Sequence, residues 1–90
     1  MKYNKAGINA VENVEATIKA LCLPLETERK FNGIINAIKM QVEDYEYTEE
    51  VVKALGQALL LFAGKYASRT EYDGLERAIS EFEQRLIKNR

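Results

Sequence analysis

Five carboxylates crowd into positions 43–50, EDYEYTEE: Glu43, Asp44, Glu46, Glu49 and Glu50. Oxygen ligands at that density suit Ca²⁺ or Mg²⁺, and paired carboxylates can divide general-acid from general-base work. The pattern argues against both. A calcium loop needs oxygen-bearing side chains at alternate positions, a central glycine and a closing glutamate, whereas Tyr45 and Tyr47 interrupt the acids here and no glycine is present. Carboxylate-bridged metal centres in helical bundles draw on Glu-x-x-His pairs, and the chain contains no histidine. The expectation is a solvated connection whose acids cap and solubilise the helix that follows.

The remaining reactive types are equally isolated. Cys22 has no histidine to activate it and falls at the end of an apolar helical face, which predicts a buried structural thiol. Ser68 and Ser80 lack a base. Gly56 and Gly64 lie inside a helical pattern, where they suit close helix packing rather than a phosphate loop. The sequence therefore predicts no catalytic residue, no cofactor and no metal site, and the protein is read as non-enzymatic.

Recognition chemistry is the other option. Tyr45 and Tyr47 flank the acidic stretch and cannot both face a core, while Tyr66 and Tyr72 bracket a turn and are expected to pack inward. Arg77, Arg85, Lys88 and Arg90 form a basic end to the last helical segment. Cations there complement the negative end of a helix dipole, and they could also meet an anionic surface.

These residues need elements to hold them. The most apolar stretch is 51–67, VVKALGQALLLFAGKYA, whose Val51, Leu55, Ala58, Leu59, Phe62 and Tyr66 recur at helical spacing, with Val52, Leu60 and Leu61 widening the face. Ahead of it, Ile8, Val11, Val14, Ile18, Leu21 and Cys22 mark a first helix, stopped by Leu23-Pro24. Leu25, Phe31, Ile34, Ile35, Ile38 and Val42 mark a second, with Gly33 inside it. Thr48 is placed to cap the third helix. Thr70 to Asp73 resembles a capping box for the fourth, in which Tyr72, Leu75, Ile79, Phe82 and Leu86 make a two-heptad seam. That seam and Ile34, Ile38 and Val42 are expected to cover the third helix from its two sides.

The prediction is thus all-α: a single domain, 1–90, folded as an antiparallel up-down-up-down four-helix bundle with helices over about 5–22, 25–44, 49–67 and 71–88. Ninety residues support one modest core and not two. A net charge of −1 offers no global attraction to nucleic acid, and none is expected as a partner. A lone cysteine cannot close an internal disulfide, and Glu12 and Glu15 interrupt any signal-peptide core, so a cytoplasmic, soluble protein is expected. Lys53 and Lys65 bound the apolar stretch well short of the roughly 20 residues that a membrane span needs.

Within this pattern, Glu50-Val51-Val52-Lys53-Ala54-Leu55 running into Ala58-Leu59-Leu60-Leu61, then Lys65-Tyr66-Ala67, the polar turn Ser68-Arg69-Thr70 and the amphipathic 72–86 helix carry a likeness. They resemble the immunity proteins for pediocin-like (class IIa) bacteriocins, of the enterocin A immunity type. Many members extend past the fourth helix in a longer polar tail than this chain does.

The resemblance implies a cytoplasmic four-helix bundle, peripheral to the inner face of the membrane, that protects a producing cell from its own bacteriocin without enzymatic chemistry. The implied partner is the membrane part of the mannose phosphotransferase system with bacteriocin bound. On that basis the recognition surface is expected on the fourth helix, at Arg77, Glu81, Arg85, Lys88 and Arg90. The surplus apolar width at Leu60 and Leu61 carries the alternative, a homodimer or other homo-oligomeric adaptor of the toxin-neutralising or phage-interaction kind.

Overall fold

Helices begin where a side chain can accept from the first free N–H groups, and three such groups mark the starts here. The Asn4 side chain accepts from the Gly7 N–H at 3.0 Å, Thr48 Oγ1 accepts from the Val51 N–H at 3.2 Å, and Ser68 Oγ accepts from the Glu71 N–H at 3.2 Å. Pro24, which has no N–H to satisfy, precedes the remaining start. The computed structural model describes residues 4–88. Within them lie α1 (Lys5–Lys19), α2 (Leu25–Glu43), α3 (Glu49–Gly64) and α4 (Arg69–Lys88).

The boundaries depart from expectation at two turns for local reasons. α1 ends three residues short of Cys22, which adopts the left-handed backbone at φ 56° and so cannot continue a right-handed helix. At the second turn α3 ends at Gly64 rather than at 67, and α4 starts at Arg69 rather than Glu71, because the capping box is Ser68 with Glu71 and not Thr70 with Asp73. In it the Ser68 N–H also donates to Glu71 Oε1 at 2.8 Å, closing the reciprocal pair. Tyr45, at φ 58°, marks the corresponding break after α2.

The four helices form an antiparallel up-down-up-down bundle with principal extents of 38 × 23 × 19 Å. α1 packs on α4 and on α2, and α4 packs on α3. The centre is closed by Ile18, Phe31, Ile35, Leu75, Phe82 and Leu86, all essentially without solvent contact. The α4 seam forms as expected at Leu75, Ile79, Phe82 and Leu86, whereas Tyr72 stays half-exposed at its start.

α3 is rotated from the face that its strongest periodicity suggested. It buries Val52, Gly56, Leu59 and Ala63, leaving Val51 40% exposed and Leu61 77% exposed. The two glycines explain the rotation. A Cβ on Gly56 would stand 3.0 Å from Ile79 Cγ2, and one on Gly64 would stand 2.7 Å from the Tyr72 ring, so α3 presents its smallest residues to α4 and the backbones draw together.

With that side committed to α4, α2 stands off. The Phe31 and Phe62 rings bridge α2 and α3, stacked at 6.3 Å between centroids and 15° between planes. Ile34 and Leu25, expected in the core, are 42% and 66% exposed in consequence.

One end of the bundle is tied by a polar network. Asn4 is buried, and its Nδ2 donates to the Val42 carbonyl at 3.1 Å while its backbone N–H donates to the Glu43 carbonyl at 3.4 Å. Tyr47 is buried beside it, and Tyr45 stacks on Tyr47 at 6.4 Å as a half-buried lid. Among the described residues, no helix is long and apolar enough to cross a membrane.

Candidate functional site

α4 divides its surface between two tasks. Its core residues recur at steps of three and four from Leu75 to Leu86, so the residues between them are free to face outward. Arg77, Glu81, Arg85 and Lys88 follow one another at steps of four, four and three, forming one stripe. At about 100° per residue this stripe lies on the flank away from Glu83, which borders Gly56 of α3.

Within the stripe, Arg85 Nη2 donates to Glu81 Oε1 at 2.5 Å, and both side chains remain nearly half-exposed. The pair neutralises the middle of the stripe and orders the arginine on its own helix. Arg77 and Lys88 are exposed on either side, and the stripe presents a net positive edge. Arg85 and Lys88 also occupy the last turn, where the helix dipole favours them. Arg90 lies outside the described residues.

The acidic connection behaves as capping and solubilising material. Glu49 and Glu50 fall in the first turn of α3, and Glu49 pairs with Lys53 at 3.2 Å one turn on. Among the described residues, no three His, Cys, Asp or Glu side chains are grouped as a metal ion would require. Of the two tyrosines in this loop it is Tyr47 that faces the interior: its ring is buried and its hydroxyl is held inside, while Tyr45 stays half-buried.

Cys22 corrects the expectation of a buried thiol. The left-handed turn after α1 carries its side chain outward, and Leu23 takes the interior position instead. Tyr66 and Tyr72 also depart from the inward packing expected of them, each sitting half-exposed beside the α3–α4 turn. There Lys65 Nζ lies 5.5 Å from the centre of the Tyr66 ring, and the Tyr72 ring covers Gly64.

A second surface emerges that periodicity did not reveal. On α2, Lys39 Nζ reaches Glu15 of α1 at 2.9 Å, and Ile34 and Ala37 lie roughly 140–160° round the helix from it, on the α3 side. On α3, Val51 and Ala58 lie the same angular distance from Gly56, which faces α4. All four are exposed. The α2–α3 seam is therefore apolar along its outer rims, with the Phe31–Phe62 pair beneath.

The surroundings of Glu15 bias its proton. Burial pushes its pKa up, but the ammonium groups of Lys39 at 2.9 Å and Lys19 at 3.5 Å outweigh that and hold it below the ordinary 4.5. On α1, it is joined to Lys39 of α2 and so clamps the two helices.

Comparison of the chain with protein-family models, with curated proteins and with solved structures finds no match.

Proposed function

We propose that this chain is an immunity protein against a pediocin-like bacteriocin, acting by contact and without chemistry from the cytoplasmic side of the membrane. The observation that carries the reading is the α3–α4 hairpin. An apolar α3, a short turn closed by Ser68 and Glu71, and an amphipathic α4 follow one another in the order that the sequence resemblance requires.

The outward stripe of α4 is the recognition surface in this reading. Arg77 and Lys88 offer exposed charge, and Arg85 is pre-ordered by Glu81, so a partner meets a guanidinium that has already lost part of its side-chain entropy. The partner is the membrane part of the mannose phosphotransferase system carrying bound bacteriocin.

The test is protection. Expression of the chain in a sensitive lactic-acid bacterium, challenged with a panel of class IIa bacteriocins, is expected to raise the tolerated dose of at least one of them. No protection against any member overturns the reading. Combined reversal at Arg77, Arg85 and Lys88 to glutamate is expected to abolish protection while the helical circular-dichroism signal persists. Unchanged protection from that folded variant removes the stripe from the mechanism.

A further inference from the structure

We infer that the α2–α3 seam is the interface of a homodimer, in which a second copy docks by a twofold axis that sets its α2 and α3 head to tail with those of the first. The inference is independent of the immunity reading.

The apolar component is Ile34 and Ala37 on one rim and Val51 and Ala58 on the other, with half-buried Leu55 and Phe62 behind them. Leu61, 77% exposed, extends the patch over the outer side of α3. Exposed apolar side chains on two consecutive helices are the kind of surface that marks a contact with another chain.

Charge selects the occupant. At one end of the seam stand Lys30 of α2 and Lys65 just past α3, both exposed, with exposed Glu26 one turn before Lys30 offsetting one of the two positive charges. At the other stand Asp44, Glu46 and Glu50, also exposed. Lys30 and Asp44 are about 21 Å apart along the helical rise of α2, so the two ends are separate patches of opposite sign. A twofold axis through the middle of the seam lays the basic end of each copy on the acidic end of the other, twice, and superposes the apolar rims between. A surface complementary to itself under rotation is what an isologous dimer requires. A side-by-side docking in the same direction would instead face lysine with lysine and acid with acid.

Sedimentation equilibrium from low micromolar to near millimolar protein is expected to show a monomer–dimer equilibrium. Ile34→Glu with Val51→Glu, at positions already substantially exposed, is expected to leave the helical signal intact and weaken association at least about tenfold. The decisive arm is a pair of charge variants, Lys30→Glu with Lys65→Glu, and Asp44→Lys with Glu50→Lys. Each alone is expected to be monomeric, a 1:1 mixture of the two is expected to dimerise, and all four changes in one chain are expected to restore the homodimer. A wild-type monomer over the whole range overturns the inference and leaves the seam to a chain of different sequence. A dimer indifferent to the seam variants overturns the assignment of the face, and failure of the fourfold variant to associate overturns the head-to-tail orientation.

Discussion

The Tyr47 hydroxyl stands between Asn4 and the carbonyl of Leu86, accepting from Asn4 Nδ2 at 3.4 Å and donating to the Leu86 oxygen at 2.9 Å. One side chain from the α2–α3 connection thus joins the entry to α1 with the last turn of α4. The Leu86 carbonyl belongs to the last four of its helix, which lack an intrahelical donor, so the tyrosine supplies what the helix end cannot.

Removing that hydroxyl leaves a buried carbonyl unsatisfied while the ring still packs. Tyr47→Phe is expected to cost about 1–3 kcal/mol, read as a lower urea midpoint with an unchanged slope. Asn4→Ala is expected to cost at least as much, since it removes the α1 cap together with the donor to Val42. A Tyr47→Phe protein as stable as the wild type would show that water replaces the contact.

Two glycines on neighbouring helices are expected to answer alanine with opposite signs. A Cβ on Gly33 meets nothing within 4 Å, so Gly33→Ala is expected to stabilise α2 by about 1 kcal/mol through helix propensity. A Cβ on Gly56 would stand 2.5 Å from Glu83 Oε1 and 3.0 Å from Ile79 Cγ2. The glutamate can swing away, but buried, β-branched Ile79 cannot, and Gly56→Ala is expected to destabilise by about 1 kcal/mol net of the propensity gain. Thermal unfolding of the two variants side by side checks the sign.

The capping box at the α3–α4 turn sets the start of α4. Ser68→Ala is expected to cost about 1 kcal/mol, and Thr70→Ala close to nothing. Denaturant midpoints in the reverse order would place the start of α4 two residues later.

Acidification should reach the α1–α2 clamp before the core. Glu15 has its folded-state pKa below the unfolded value, so its contribution is fully present above the unfolded pKa and is lost as pH falls through the folded one, that is, below about 4.5. Because Lys19 and Lys39 keep part of their solvent, the amount is under about 1 kcal/mol. Glu15→Gln is expected to be less stable than wild type at neutral pH, with the gap closing in that acid window. A gap that is constant with pH would mean that the pair contributes through packing alone.

How much of this was legible in the sequence varies by element. The α4 seam and the Thr48 cap could be read directly, because each depends on neighbours within a few residues. α3 could not be oriented that way. It is apolar nearly all round, so periodicity selects no single face, and the choice fell to which helix could approach Gly56 and Gly64. Ile34 satisfies the period of α2 as well as Ile35 does, yet period says only that a face exists and not whether a neighbouring helix covers it. The exposure of Cys22, and the choice of Tyr47 over Tyr45 for the interior, escaped the sequence for the opposite reason. Each residue sits at a break in helical backbone, where its placement is decided by the turn and, for Tyr47, by partners 39 and 43 residues distant in sequence. The outward stripe of α4 was legible as charge outside a seam, while the α2–α3 rims required knowing that α2 and α3 stand apart.

The pairing of α1 with α4 also orders events in time. α3 and α4 adjoin in sequence and need only close the turn at Ser68, whereas α1 must wait for a helix that begins at Arg69. Loop closure over that span is entropically slower than over a short turn. During synthesis the part of α1 that α4 covers therefore stays exposed until α4 has been made, while α2 can cover its other flank earlier.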